Sequence, residues 1–381
     1  MYSKIVNFIK DTFNETESLI PLHEPRFVGN EKQYINDCID STFVSSVGKY
    51  VDLFEEKIKQ FTGAKYAVAT ANGTSALHLS LLIAGVKSGD LVITQPLTFI
   101  ATCNSISYIG AQPLFVDVDK ETLGLSVDKL ESFFLTETYS DINGNTFYKR
   151  TNQRIAACVP MHTFGHPVKI DQIVSLCDKH KVHVIEDAAE SLGSTYMDKQ
   201  TGRFGKLGVY SFNGNKTITC GGGGVIITDD DNYGYLAKHL STQAKKPHPW
   251  NFEHDYIGYN YRLPNLNAAL ACAQMENLSS FISNKRELSR TYKDFFSTIE
   301  IQFVDEPINS KSNYWLNAIV LKDRNERDAF LEFTNSNNVM TRPVWTLMNK
   351  LDMFKNAPCQ NIDNALWLED RLVNIPSSVR I

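Results

Sequence analysis

Between Tyr66 and Thr228, short apolar runs alternate with stretches whose apolar residues recur at helical spacing. This alternation constrains the fold of the chain more than any other feature. The runs Tyr66–Thr70, Leu91–Gln95, Pro113–Val118, Ile155–Met161 and Val182–Ile185 read as strands. So do the two runs that flank Lys216, the first ending at Ser211 and the second being Val225–Thr228. Between them, 76–84, 99–109, 127–134 and 170–180 read as helices. Strands spaced in this way predict an α/β fold whose central, mostly parallel sheet is covered on both faces. Ligands of such sheets gather beyond the carboxyl ends of the strands, a rim on which Asn72 to Ser75, Phe99 and Asp187 fall.

The flanks are less regular. Residues 1–28 form an arm with a short helix near its start. Helical spacing returns over 30–43 and 50–61, the second placing Leu53, Phe54, Ile58 and Phe61 on one face. The polar stretch 136–153 reads as a surface excursion rather than a boundary. A helix is expected from Leu266 to about Leu288, followed by a smaller α+β unit with strands at 315–321 and 339–345 and a helix at 325–335. The expected division is a large α/β domain over 1–255, including the arm 1–28, and a linking helix with a small C-terminal α+β domain over 256–381. No window approaches the roughly 20 apolar residues of a membrane helix, the N-terminus has no apolar secretory core, and a cytoplasmic location is the default. A net charge of −5 argues against nucleic acid or an anionic membrane as the main partner. The seven cysteines are scattered with no Cys-x-x-Cys pair, and the nine histidines form no His-x-x-x-His pair beside an acid, so no metal is expected.

Chemistry concentrates in three places. In Ser211-Phe212-Asn213-Gly214-Asn215-Lys216, followed by Gly221 to Gly224, a lysine stands between two apolar strands. Partial desolvation there favours the neutral amine that Schiff-base chemistry needs; a solvated turn lysine is the plain alternative. A nucleotide-phosphate loop is excluded, because Gly-Lys adjacency and a following helix are both missing. At Gly73-Thr74-Ser75 a helix starts where free N–H groups and the helix dipole favour an anion, although Thr74 or Ser75 could equally cap that helix. Asp187 is an acid at a strand end. A lysine, a carboxylate and a helix start are what a pyridine-ring aldehyde cofactor with a phosphate tail requires.

With these blocks in view, the chain resembles the nucleotide-sugar aminotransferases of the DegT family, pyridoxal-phosphate enzymes of the aspartate-aminotransferase fold (fold type I). The matching blocks run in family order: Asn72-Gly73-Thr74-Ser75-Ala76-Leu77, Thr98-Phe99-Ile100-Ala101-Thr102, Val159-Pro160-Met161-His162-Thr163-Phe164-Gly165, Glu186-Asp187-Ala188-Ala189-Glu190, the stretch 211–216, and Gly258-Tyr259-Asn260-Tyr261-Arg262. The resemblance implies that Lys216 binds pyridoxal 5'-phosphate as a Schiff base and later shuttles a proton, with Asp187 paired to the ring nitrogen. Phe99 and Ala189 would pack on the two ring faces, and Gly73, Thr74, Ser75 and Ser211 would hold the phosphate. Asn260 would reach the phosphate of a neighbouring subunit, implying a homodimer. Glu190 stands at a cofactor-binding position where glutamine is common and hydrogen-bonds the cofactor's ring oxygen; a carboxylate there changes the charge balance. His162, Arg342 and Trp345 are candidates to face the sugar, although His162 reads equally as a structural histidine.

Further blocks point to a subgroup: Pro21-Leu22-His23-Glu24-Pro25, Phe43-Val44-Ser45-Ser46-Val47-Gly48 and Thr341-Arg342-Pro343-Val344-Trp345. They are similar to the 4-aminotransferases of UDP-4-keto-6-deoxy-N-acetylglucosamine, which serve bacterial polysaccharide and lipopolysaccharide biosynthesis. The implied reaction moves an amino group from L-glutamate to a C4 ketone. A same-fold dehydratase would carry histidine at position 216, and a non-turnover sensor would carry a DNA-reading or basic appendage; the chain has Lys216 and no such appendage.

Overall fold

The computed structural model describes residues 1–380. Its central sheet has seven strands in the order Tyr66–Thr70, Gly224–Thr228, Leu207–Ser211, His183–Asp187, Ile155–Val159, Leu91–Thr94, Gln112–Phe115. The last five strands in that order pair in parallel. Gly224–Thr228 runs antiparallel to both its neighbours. Its connection from Ser211 contains no helix, so the chain turns back beside the strand it has just left, as a parallel crossover would not allow. The sheet is therefore mostly parallel, and six of its strands point their carboxyl ends the same way.

Alternation along each strand divides the core. Val68, Val92, Ile185, Val209 and Ile226 pack on one face with Leu77 of the helix Gly73–Ile83 and Ala237 of the helix Asp231–Ser241. Ala67, Ala69, Tyr210 and Val225 face the other way, onto Phe54 and Ile58 of Lys49–Thr62 and the first half of the helix Asn265–Ser297. All five residues of Ile155–Val159 are buried, as expected of a strand covered on both sides. On Lys49–Thr62 the apolar face is narrower than the spacing predicts, because Leu53 is 40% exposed.

Asn265–Ser297 spans 33 residues, about 50 Å at helical rise. It continues past the predicted end at Leu288 because Tyr292 and Phe296 prolong its apolar stripe. Its first half buries Ala268, Cys272 and Leu278 in the large unit; its second half buries Leu288, Tyr292 and Phe296 in the small one. The small unit is an antiparallel sheet ordered Gln302–Phe303, Asn317–Val320, Leu372–Ile375, Arg342–Pro343. Its last strand is shorter than the predicted 339–345, since Pro343 has no N–H to continue the ladder.

Two further features lie at the periphery. The stretch 136–153 forms a hairpin, Thr138–Ser140 pairing with Thr146–Tyr148. The expected division places the arm in the large domain, but the first helix, Tyr2–Phe13, packs on the small unit. Ile5, Val6 and Ile9 form its buried stripe against Tyr292, Phe296 and Phe330, and Phe8 stacks on Phe295 at 3.7 Å. The arm then runs back toward the C-terminal segment, with Ser377 N–H donating to Leu22 O and Arg26 Nε to Val379 O. Among the described residues, no helix is long and apolar enough to cross a membrane.

Candidate active site

A cavity of about 190 Å³ opens beyond the carboxyl ends of the parallel strands. The sheet and its helices bring Gly73, Thr74, Phe99, Asp187, Ala189, Glu190, Ser211 and Lys216 to its wall. They come from four separate sequence blocks, and the parallel strands are what align those block ends on one rim.

The helix Gly73–Ile83 starts at the cavity. Its cap is Asn72, whose Oδ1 accepts the Ser75 N–H at 2.8 Å, so neither Thr74 nor Ser75 caps it. Gly73 and Thr74 lie in the first turn, where N–H groups have no partner inside the helix. A Cβ on Gly73 would stand 3.0 Å from Ser211 Cβ, and one on Gly224 2.4 Å from Asn72 O. Gly224 is therefore required for the helix start to approach the strand ends this closely, and a side chain at Gly73 would force Ser211 to shift.

Asp187 ends its strand and is 2% exposed. Thr102 Oγ1 donates to its Oδ2 at 2.7 Å and Ala189 N–H to its Oδ1 at 3.2 Å, and no basic side chain reaches it. Burial raises its carboxyl above the usual range, with the Thr102 hydroxyl opposing. Glu190, also 2% exposed, accepts the Phe164 N–H at 2.9 Å on Oε2, and its Oε1 lies 3.3 Å from Lys216 Nζ. Burial pushes its carboxyl up to about 7, against the nearby Lys216. The Lys216 Nζ also sits 4.1 Å from the centre of the Trp315 ring, whose Nε1 is anchored on Asn215 O at 2.6 Å. Lys216 is thus held between a carboxylate and an aromatic face, rather than only between apolar strands as its sequence context suggests.

The other predicted residues divide. Phe99 is 47% exposed, more than a core phenylalanine, and meets Trp345 edge-on at 6.1 Å between ring centres. Trp345 also packs on Phe164 at 5.1 Å. His162 is corrected: it is fully buried, Nε2 bonds Glu186 at 3.0 Å and Nδ1 accepts the Val168 N–H at 3.2 Å, which leaves no nitrogen for a sugar. Arg342 is exposed and donates to Asn335 Oδ1 and Thr341 O. Asn260 is exposed away from the cavity, its Oδ1 accepting from Arg262.

Sequence reasoning missed Thr102, Trp315, Asn313 and the ring of His23. Thr102 lies inside the quoted block 98–102, and its spacing of three from Phe99 was the available signal. Asn313 Nδ2 donates to the carbonyls of Glu190 and Leu192 at 2.9 and 3.0 Å, tying the small unit to the Glu190 loop. Both ring nitrogens of His23 are shut off from solvent with no partner, and burial lowers its basicity, helped by Lys285, Lys216 and Arg26.

The chain belongs to the DegT/DnrJ/EryC1/StrS aminotransferase family, whose profile matches residues 25–381. That family comprises pyridoxal-phosphate-dependent nucleotide-sugar aminotransferases, and the chain is a transaminase of fold type I. It is 38% identical over 358 residues to a GDP-perosamine synthase of Escherichia coli O157:H7, covering 94% of this chain and 93% of that protein. A GDP-perosamine synthase of Vibrio cholerae is 34% identical over 340 residues, covering 89% and 88%. Among solved structures, Helicobacter pylori PseC, an aminotransferase involved in the biosynthesis of pseudoaminic acid, superposes with a TM-score of 0.83 at 23% identity, covering 94% of each chain.

Proposed function

We propose that this cavity is the cofactor site, with Lys216 as the covalent attachment point. We further propose that the enzyme moves an amino group from L-glutamate to the C4 ketone of a nucleotide-linked 4-keto-6-deoxy sugar. The observation that carries the siting is Asp187: a carboxylate 2% exposed, without a cationic partner, in the same small cavity as Lys216. A buried carboxylate left unpaired is unfavourable, and a protonated ring nitrogen is the partner its surroundings lack.

The remaining wall fits the same cofactor. Gly73 and Thr74 offer first-turn N–H groups to a phosphate and Ser211 adds a hydroxyl. Phe99 presents a half-exposed ring for stacking opposite Ala189. When bound, the cofactor supplies an electron sink for the carbon that bears the amino group. Asp187 would hold the positive charge of the ring nitrogen, Lys216 Nζ would accept and return a proton, and Trp315 would shield Nζ from water. Trp345, against Phe99 and Phe164, stands ready to line the sugar's approach.

A homodimer completes this reading. Asn260, outside its own cavity, would serve the phosphate site of a second subunit. Trp250, Phe252 and Ile257 just before it are 75%, 80% and 87% exposed, more apolar surface than a lone chain keeps in one loop.

The blocks at 21–25, 43–48 and 341–345 favour UDP-2-acetamido-2,6-dideoxy-4-keto-hexose as acceptor. A second reading, a GDP-linked sugar, is favoured by the relatives named GDP-perosamine synthase. The test is to load the enzyme with pyridoxal phosphate, add glutamate until the visible band bleaches, and offer each keto sugar separately. Recovery of the band, with a sugar product carrying one amino group in place of the ketone oxygen, identifies the acceptor. Bleaching that neither sugar reverses overturns the proposed acceptor class.

A further inference from the structure

What Lys216 must do conflicts with how its neighbours hold it. A lysine that bonds to a carbonyl carbon reacts as the neutral amine. Yet the Glu190 carboxyl at 3.3 Å and the Trp315 face at 4.1 Å both favour the ammonium. We propose that Glu190 is the internal base for Lys216: a proton passes from Nζ to Glu190 Oε1, leaving a neutral amine beside a neutral carboxylic acid. One N–H bond breaks, one O–H bond forms, and the electron pair stays on nitrogen as the attacking lone pair. Net charge is unchanged and no proton is exchanged with solvent. The inference rests on the reading of Lys216 as the cofactor-binding lysine.

The geometry supports each part. Oε1 faces Nζ directly, while the Phe164 N–H fixes Oε2, so the carboxyl cannot turn away without losing that bond. Both groups are withdrawn from water, the Lys216 side chain being 12% and that of Glu190 1% exposed. In such a place separated charges lose most of their advantage over the neutral pair. The other titratable group on the cavity wall is Asp187, and its charge further disfavours a second carboxylate at Glu190. Asp187 itself is turned toward Thr102 and Ala189. His23, approaching Lys216 from the arm, is kept neutral by burial and adds no charge. Burial pushes the Glu190 carboxyl up to about 7, which makes it a better proton acceptor than an ordinary carboxylate.

Trace labelling with acetic anhydride of the full chain freed of cofactor, between pH 5 and 10 in about half-unit steps, tests this, with acetyl at Lys216 read by peptide mass spectrometry. A proton shared within a pair makes the neutral-amine fraction independent of pH between the pair's two macroscopic titrations. The labelling rate of Lys216 in the unaltered chain should therefore run flat above neutrality. In Glu190→Gln it should climb about tenfold per pH unit without a plateau. A wild-type rate that climbs throughout, or a plateau that survives in Glu190→Gln, overturns the proposal. A second measurement needs no variant. Infrared difference spectra on adding pyridoxal phosphate should gain a protonated-carboxyl C=O band that shifts on ¹³C-glutamate labelling, and no gain overturns it. Labelling needs neither glutamate nor sugar, so its failure would leave the cofactor site standing. A wild-type protein with no visible band after loading would instead remove that site.

Discussion

Glu186 and Asp187 are adjacent on one strand, both fully withdrawn from water, and in opposite circumstances. Glu186 receives the N–H groups of Gly202, Phe204 and Gly205 at 2.6–2.7 Å and the ring of His162 at 3.0 Å. Every face of that carboxylate is occupied by the chain itself. Asp187, on the other side of the sheet, has one good donor in Thr102 and a longer one in Ala189. Saturation marks a carboxylate that holds the fold, and an incomplete shell facing a cavity marks one kept for a ligand. Sequence alone separates them poorly, since strand alternation says only that they face apart.

The comparison can be broken by substitution. The largest effect is expected at the ligand side. Lys216→Ala should lose the visible cofactor band and at least about 10⁴-fold in turnover, and Asp187→Asn about 10²-fold or more, both with near-native unfolding curves. Glu186→Gln should do the reverse. It turns an acceptor's oxygen into a donor facing N–H groups, at a cost of about 3 kcal/mol in urea unfolding, while molecules still folded keep the cofactor band. Equal losses of stability in Asp187→Asn and Glu186→Gln would remove the distinction.

Lys285 sharpens it with a cation. It is fully buried, donates to Ser377 O, and burial lowers its amine from 10.5 to about 7. Below about pH 7 the folded chain bears the full penalty of a buried charge; between about 7 and 10.5 the unfolded state holds more protons, so stability climbs with pH. Lys285→Met should therefore unfold at higher urea than the wild type at pH 7, by about 2–4 kcal/mol, with the gain fading toward pH 10. A gain independent of pH would refute the buried charge as its cause. The smallest effect belongs to Ser211→Ala, which should weaken pyridoxal phosphate binding by about 1 kcal/mol in equilibrium dialysis.

Much of this was legible in the chain. The strands at 66–70 and 155–159 announced themselves as apolar runs, and ordered blocks carried Lys216, Asp187 and Ser211 to one rim. What stayed hidden depends on distant partners. Periodicity does not say that Gly224–Thr228 slips between Leu207–Ser211 and Tyr66–Thr70. Trp315 reads as the first residue of a strand that in fact starts at Asn317, and its place over Lys216 arises only when the small unit docks. His162 stays undecided in sequence because a strand-end histidine looks the same whether it meets a ligand or Glu186.

The helix Tyr2–Phe13 has a consequence for how the protein is made. Its stripe of Ile5, Val6 and Ile9 finds cover on Tyr292, Phe296 and Phe330. Those partners leave the ribosome roughly 280–325 residues later, on the order of 15–65 s at ordinary elongation rates. Throughout that interval the first helix is an amphipathic segment without its partner, open to chaperones or to other nascent chains. The helix can therefore find its full cover only after Phe330 has been made.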